Sequence, residues 1–376
     1  MTADPVALRR GLAAVLDTTD PAWRAAVEAV PRELFLGDCV FRAANGRWEP
    51  VHRDLVGEDA WLRLVYEDAT WVTQVDGVAA ADAPGPLSGR PTSSSTLPSL
   101  VVRMLELAAI REGANVLEIG TGTGYSTAVL CHRLGDDHVY SVEYDPRLAS
   151  LAADRIRTAG YSPTLVTGDG LAGHKEAAEY DSIVATCAVR HIPPAWLHQV
   201  RSGGTITTTV SGWMLASGLI RLTVHDDGSA TGRFTGDPIG YMLARPHERP
   251  PRPTYFRREG RTRPARLDPG LLDDWTGQFV AQLAAPSAEL MTTSDGVILV
   301  DVATGSQAWT EQRVGSGRHA HQDGPLRLWD AVEDALTAWQ DAGSPPQSDF
   351  GLTVDVDGTQ RVWAGTPDGP SWSLPV

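Results

Sequence analysis

The spacing of apolar residues changes along this chain, and each change marks an element. Near the N-terminus two helical patterns come first. In the second, Trp23, Val27 and Val30 fall at i, i+4 and i+7, one face of a helix. A polar stretch carrying Trp48, Trp61 and Trp71 follows, then a loop-like run over residues 79–91, rich in proline and glycine. The hydroxyl run Thr92-Ser-Ser-Ser-Thr96 precedes Leu97-Pro98 and a helical pattern over 99–109, in which Leu100, Met104, Leu107 and Ala108 share a face. Hydroxyls before a helix with proline near its first turn suit N-capping.

Between residues 110 and 212 strand and helix patterns alternate. Strands are expected at 115–119, 138–143, 163–167, 181–186 and 204–210, and helices at 124–134, 146–159 and 193–201. Short helices between strands imply an α/β fold with a parallel, doubly wound sheet and right-handed crossovers. Residues 213–246 read as hairpins with a turn at Asp226-Asp-Gly228. Residues 246–266 are rich in proline and arginine and read as a linker or extended surface arm. Beyond them come a helix over 270–283, a strand over 296–302, an amphipathic helix over 326–339 and a final hairpin. The expected division is an N-terminal helical, substrate-side segment (1–90), a central α/β domain (91–245), the arm (246–266) and an accessory α+β domain (267–376).

The central feature is Val116-Leu-Glu-Ile-Gly-Thr-Gly-Thr-Gly-Tyr125, a strand that runs into glycines at alternate positions and then into a helix. Such glycines let the backbone turn sharply and approach a ligand, while the helix start offers unpaired N–H groups. The dinucleotide fingerprint G-x-G-x-x-G would need a third glycine where Tyr125 stands, so that pattern fails. Glu143 ends the next apolar run, where an acidic side chain suits both hydroxyls of a ribose. Gly168-Asp-Gly170 closes the following strand and should converge with these groups at the C-terminal strand ends.

Composition narrows the choice of partners. A net charge of −15 argues against nucleic acid or an anionic membrane, and no apolar run reaches the ~18–20 residues of a membrane span. The N-terminus lacks the apolar core of a secretory signal, and the cysteines Cys39, Cys131 and Cys187 lie far apart, as reduced thiols of a cytoplasmic protein would. His319-Ala-His321 has no further ligand nearby in sequence and reads as a surface loop, so no metal is expected. The oligomeric state is left open, with the monomer favoured.

The glycine loop with Glu118 before it resembles motif I of class I S-adenosylmethionine (AdoMet) methyltransferases. Val30-Pro-Arg-Glu-Leu-Phe-Leu36, Tyr66-Glu-Asp68, the glycine loop, Gly168-Asp-Gly170, His191-Ile-Pro-Pro-Ala195 and Gly203-Gly204 occur in the order seen in protein-L-isoaspartate O-methyltransferases. The resemblance covers residues 20–245. It implies a Rossmann-like methyltransferase domain that uses AdoMet, releases S-adenosylhomocysteine and methylates a carboxylate in a peptide. By similarity Glu118, Gly120, Gly122 and Gly124 would border the methionine part of AdoMet, Glu143 would hold the ribose, and Asp169 and Gly170 the adenine edge, with Thr121, Thr123, Tyr125 and Tyr144 also among the cofactor-binding residues.

Where the family carries a hydroxyl at the site of transfer, this chain has Thr96-Leu97-Pro98. Thr96 or Ser95 would act there, with Ser94, Arg190 and His191 as substrate contacts. The segments 92–99 and 186–196 and Gly351-Leu-Thr-Val also resemble a branch that accompanies biosynthesis of ribosomal peptides, graspetides and some lanthipeptides. Its members methylate an aspartate of the modified precursor peptide, and the ester cyclises to an aspartimide or hydrolyses to isoaspartate. The ~110 residues after the arm point the same way, because repair enzymes are typically little more than the catalytic domain. General isoaspartate repair and an inactive AdoMet-binding peptide scaffold are the alternatives. The arm arginines, from Arg249 and Arg252 to Arg266, are expected to draw an acidic peptide to an acidic protein.

Overall fold

The computed structural model describes residues 3–251, 256–294, 296–313 and 317–375. They form two compact units, one of residues 1–186 and 198–207, the other of 187–197 and 208–376. This division crosses the boundaries drawn from sequence, because two strands pass from the first unit into the second.

The first unit opens with helices α1 (Pro5–Val15), α2 (Pro21–Ala29) and α3 (Glu33–Leu36). Asp4 and Asp20 cap α1 and α2 through their carboxylates, each with proline at the first turn. Trp23, Val27 and Val30 are buried, so the predicted face holds.

The stretch after α3 departs from the helical expectation. It forms β1 (Cys39–Ala44), β2 (Arg47–His52), α4 (Arg53–Val56), α5 (Glu58–Val65), β3 (Trp71–Val75), β4 (Val78–Ala79) and β5 (Pro91–Ser95). These strands build an antiparallel sheet of order β2-β1-β3-β4, with β5 also on β3. Trp61 and Trp71 are buried and Trp48 packs on the cluster of Phe41, Val72 and Val75. Scattered tryptophans carry no readable period, which is why the sheet escaped notice. The hydroxyl run is thus mostly strand. The next helix, α6 (Pro98–Leu107), begins without a side-chain cap of its own and buries Val101, Met104, Leu105 and Ala108, while Leu100 and Leu107 are only half-buried.

The α/β part follows expectation closely. Strands β6 (Val116–Ile119), β7 (Val139–Glu143), β8 (Thr164–Thr167) and β9 (Tyr180–Val189) alternate with helices α7 (Tyr125–Leu134) and α8 (Pro146–Thr158). The sheet runs β8-β7-β6-β9, with β6 parallel to both β7 and β9, and β7 parallel to β8. After β9 the expected helix shrinks to α9 (Pro194–Leu197), since β10 (Val200–Ser211) already begins at Val200.

In the second unit β11 (Ser217–Val224) and β12 (Ala230–Phe234) make the predicted hairpin. The region expected to be an arm does not stay free: β13 (Arg261–Pro264) is a strand. Then come α10 (Trp275–Ala284), β14 (Ala288–Thr293), β15 (Gly296–Asp301), β16 (Gln307–Arg313), β17 (Gly317–Asp323), α11 (Leu328–Asp341), β18 (Phe350–Val354), β19 (Gln360–Ala364) and β20 (Ser371–Ser373). One antiparallel sheet has the order β13-β17-β16-β15-β14, and β11, β12, β18, β19 and β20 pair antiparallel one after another. His319 and His321 lie on β17, not in a loop; His321 is buried and stacks on Trp309, with ring centroids 4.8 Å apart.

The arginines of the expected arm are mostly engaged. Arg263 and Arg266 both pair with the buried Glu333 on α11, Arg249 pairs with Glu289, and Arg258 with Asp323. Arg252 lies outside the described residues. A guanidinium already paired adds little long-range attraction for an acidic peptide, so the steering role drawn from sequence loses its basis.

Candidate functional site

The site of the first unit is built where β6, β7 and β8 end. Gly120, Gly122 and Gly124 have φ of +97°, +55° and +92°, a region that side chains other than glycine rarely adopt. Space is as restrictive as conformation. A Cβ on Gly120 would stand 3.0 Å from Thr186 Oγ1, and one on Gly124 3.0 Å from Ile156 Cδ1. The loop is pinned from both neighbours: Gly120 N donates to the Val142 carbonyl at 2.9 Å, and Thr186 Oγ1 donates to the Gly120 carbonyl at 2.7 Å. Helix α7 starts directly after Gly124 with no side chain capping its first amides. A tight glycine cradle with open amides at a helix start fits the carboxylate end of AdoMet.

Glu118 sits beneath this loop, fully buried. Its carboxylate accepts from the hydroxyls of Ser126, Thr127 and Ser141, the last at 2.8 Å. Burial pushes its pKa up, against the lowering effect of those hydroxyls. It therefore ties β6 to α7 and β7, and any action on a ligand passes through the loop it supports. Thr121 and Thr123 are also buried, Thr121 Oγ1 sharing a bond of 2.6 Å with Ser141 Oγ. Tyr125 is buried edge-on to Phe35, a core position.

Glu143 is the better-placed carboxylate. It accepts from Gly122 N at 2.8 Å and from Asp145 N at 3.0 Å, so it fixes the loop while two lone-pair sites are left over for ribose hydroxyls. Tyr144 beside it is half exposed. Gly168 N donates to the Glu143 carbonyl at 2.9 Å, and Asp169 Oδ1 accepts from Leu171 N, which leaves its other oxygen for an adenine amino group. Gly170 is required by packing, since a Cβ there would run into Ile119.

The hydroxyl strand comes to the same place. The Ser94 carbonyl lies 3.6 Å from where a Cβ on Gly122 would stand, so β5 backs directly onto the glycine loop. Alternation along β5 sorts the hydroxyls. Ser93 and Ser95 are buried, and Ser95 Oγ has no hydrogen-bond partner among the described residues. Ser94 and Thr96 are half-buried. Sequence reasoning missed several supports of this corner: Thr186, Ser141, and Gln74, whose Nε2 donates to Asp145. Each is a small or polar residue inside a strand, and nothing local flags it.

Arg190 and His191 belong to the second unit. There Arg190 Nη2 donates to the Pro286 carbonyl at 2.9 Å and its guanidinium stacks 3.9 Å above Trp213. Burial pushes the His191 pKa down, opposed by the backbone of Pro375. Its ring lies 4.6 Å from that of His247. His247 Nδ1 accepts from Arg190 N at 3.1 Å, so this nitrogen carries no proton. Burial, then His191 and Arg190, push the His247 pKa down to about 4. An unfolded histidine titrates near ~6.5, so the unfolded chain takes up its proton first as pH falls. Stability that is complete above that value is lost between about 6.5 and 4. The melting temperature should fall across this window, and less steeply for His247→Asn; equal slopes would contradict the assignment.

Together the fold and this strand-end corner define a class I AdoMet-dependent methyltransferase. The profile of the protein-L-isoaspartate(D-aspartate) O-methyltransferases matches residues 65–232. A protein-L-isoaspartate O-methyltransferase of Thermococcus onnurineus is 30% identical over 217 residues, 57% of this chain and 90% of that protein. One of Ignicoccus hospitalis is 40% identical over 135 residues, 35% of this chain and 63% of that protein. The chain belongs to the protein-L-isoaspartate O-methyltransferase family, whose members are AdoMet-dependent carboxyl O-methyltransferases. A solved structure titled protein-L-isoaspartate O-methyltransferase aligns over 95% of this chain and 100% of its own, with TM-score 0.56 and 19% identity. Its fold thus extends over the C-terminal part too, and the additional ~110 residues do not by themselves mark a specialised branch.

Among the described residues no helix is long and apolar enough to cross a membrane.

Proposed function

We propose that this chain transfers the methyl group of AdoMet to the free carboxylate of a peptide residue, the α-carboxylate of an isoaspartyl residue or the side-chain carboxylate of an aspartyl residue. The observation that supports this reading is the approach of the Ser94 carbonyl on β5 to Gly122 of the glycine loop, with Thr96 two residues further along the chain. AdoMet supplies an electrophilic methyl on a sulfonium when bound. A carboxylate oxygen forms the new C–O bond as the C–S bond breaks and its electron pair stays on sulfur. The nucleophile is already ionised near neutral pH, so no base is required of the protein. What remains is alignment and removal of water. Thr96 orients the carboxylate by donating one hydrogen bond, which leaves its negative charge in place. Glu143 and Asp169 hold the nucleoside, and the glycine cradle with the amides of α7 holds the amino-acid end. The ester then closes to a succinimide when the following backbone nitrogen attacks and methanol leaves, a step that needs only proximity.

A finer reading takes the modified precursor of a ribosomal peptide as substrate. It is supported by the likeness of residues 92–99 and 186–196 to the tailoring branch, while the shared fold of the C-terminal part speaks equally for repair.

Mass spectrometry with AdoMet decides between them. A gain of one methyl (~14 Da) on a generic isoaspartyl peptide, with loss of methanol on standing, is the outcome expected of repair. Modification confined to a cyclised precursor peptide encoded nearby would establish tailoring. Modification of neither, with AdoMet bound, would overturn both and favour a scaffold.

A further inference from the structure

Arg32 lies in the motif Val30-Pro-Arg-Glu, between α2 and α3, and its side chain is completely buried. A buried arginine is ordinarily matched by a carboxylate. This one is hydrogen-bonded by backbone carbonyls. Nη1 donates to Val65 at 2.8 Å and Glu67 at 2.7 Å, and Nη2 to Ala69 at 2.8 Å, Thr96 at 3.3 Å and Ser95 at 3.5 Å. The Tyr125 ring lies 5.7 Å from its guanidinium carbon. Burial pushes its pKa down from the ordinary arginine range, with Tyr125 and Asp68 acting in the opposite direction.

The carbonyls belong to two segments distant in sequence. Residues 65–69 are the end of α5 and the turn after it, and 95–96 are the end of β5, where the proposed transfer hydroxyl sits. The same two segments are joined a second time without Arg32. Leu97 N donates to Thr70 Oγ1 at 3.1 Å, and Ser99 N donates to Asp68 Oδ1 at 2.9 Å. These bonds supply the caps that α6 does not provide for itself.

We propose that Arg32, with Thr70, is a positioning clamp that fixes the backbone of Ser95 and Thr96 against the 65–70 turn and so sets the Thr96 hydroxyl for methyl transfer. The planar guanidinium is the element needed, because one fork can reach carbonyls of both segments at once. A lysine keeps the charge but offers a single point of donation and cannot hold the two in fixed relation. This inference rests on the proposed role of Thr96.

The test uses the full chain, AdoMet and a synthetic isoaspartyl peptide, with Arg32→Lys, Thr70→Val and Thr96→Ala alone and in pairs. Arg32→Lys should lower kcat by about a hundredfold, and Thr70→Val by about tenfold, with the AdoMet Kd within about twofold. In the Thr96→Ala background neither should lower kcat further, because both act through the hydroxyl that is gone. A merely structural arginine would cost the same factor in both backgrounds, and that outcome overturns the clamp. Should Arg32→Lys not fold, the surface variant Thr70→Val decides: unchanged kcat there also overturns it. Wild-type turnover by Thr96→Ala is a different failure, of the hydroxyl assignment itself, and removes the function of the clamp with it.

Discussion

Thr96→Ala is expected to lower kcat for methyl transfer by about a hundredfold while the AdoMet Kd stays within about twofold. The reason is the division of labour in the site. The groups proposed to hold the nucleoside lie on β7 and after β8, and those proposed to hold the methionine end lie in the glycine loop. Thr96 directly follows β5, whose Ser94 carbonyl approaches Gly122 of that loop. Removing its hydroxyl takes away orientation of the nucleophile and leaves the cradle as it was. Single-turnover kinetics with saturating AdoMet, combined with calorimetric titration of the cofactor, separates the two effects. Ser95→Ala is the companion. That hydroxyl points into the interior and has no partner among the described residues, so its loss should change kcat by less than about threefold. A large loss for Ser95→Ala and none for Thr96→Ala would reverse the assignment.

Glu143→Ala is expected to act on the cofactor instead. It removes the acceptor for Gly122 N and Asp145 N together with both remaining lone-pair sites for the ribose. A charge-assisted bond to a buried group is worth about 1.5–3 kcal/mol, so the AdoMet Kd should rise by about a hundredfold. The free protein should lose about 1–2 kcal/mol as well, because the amides of Gly122 and Asp145 lose their acceptor. Calorimetry of binding and a denaturation curve measure the two losses independently. An unchanged Kd beside lowered stability would mean that Glu143 supports the loop and does not touch the ribose.

Both experiments probe residues that could be read from the chain, but for unequal reasons. Glu143 was legible because a parallel strand ends at a fixed point after an apolar run, and the glycine loop before it sets the register. Thr96 was legible only by resemblance, since a hydroxyl run before a proline describes a helix cap equally well. The structure decided against the cap: Pro91–Ser95 is a strand, and α6 borrows its caps from Asp68 and Thr70. Arg32 shows the limit most clearly. Its motif could be recognised, yet no local pattern says that an arginine between two helices will gather carbonyls from residues 65–69 and 95–96.

The charged segment 246–266 failed in the opposite sense. High arginine and proline content reads as a solvated arm when partners are unknown. Glu333, on α11, is fully buried between Arg263 and Arg266, and the pairing pulls Arg261–Pro264 into a sheet. Burial pushes the Glu333 pKa up, but the bonds from both arginines and from the amides of Arg266 and Leu267 outweigh it and leave it lowered.

The sequence by itself determined the alternation of β6 to β9 with α7 and α8, the glycine loop, and the acidic residues at the strand ends. These follow from interactions within a few residues, namely apolar periodicity and the conformational freedom of glycine. Only the tertiary structure decided that Glu118 supports the loop from beneath, that Ser95 faces inward while Thr96 does not, and that the arginines 249–266 are mostly paired. Those outcomes depend on which distant groups share a buried volume. Burial makes an unmatched polar group costly, so its partner is chosen by the whole fold and not by its neighbours in the chain.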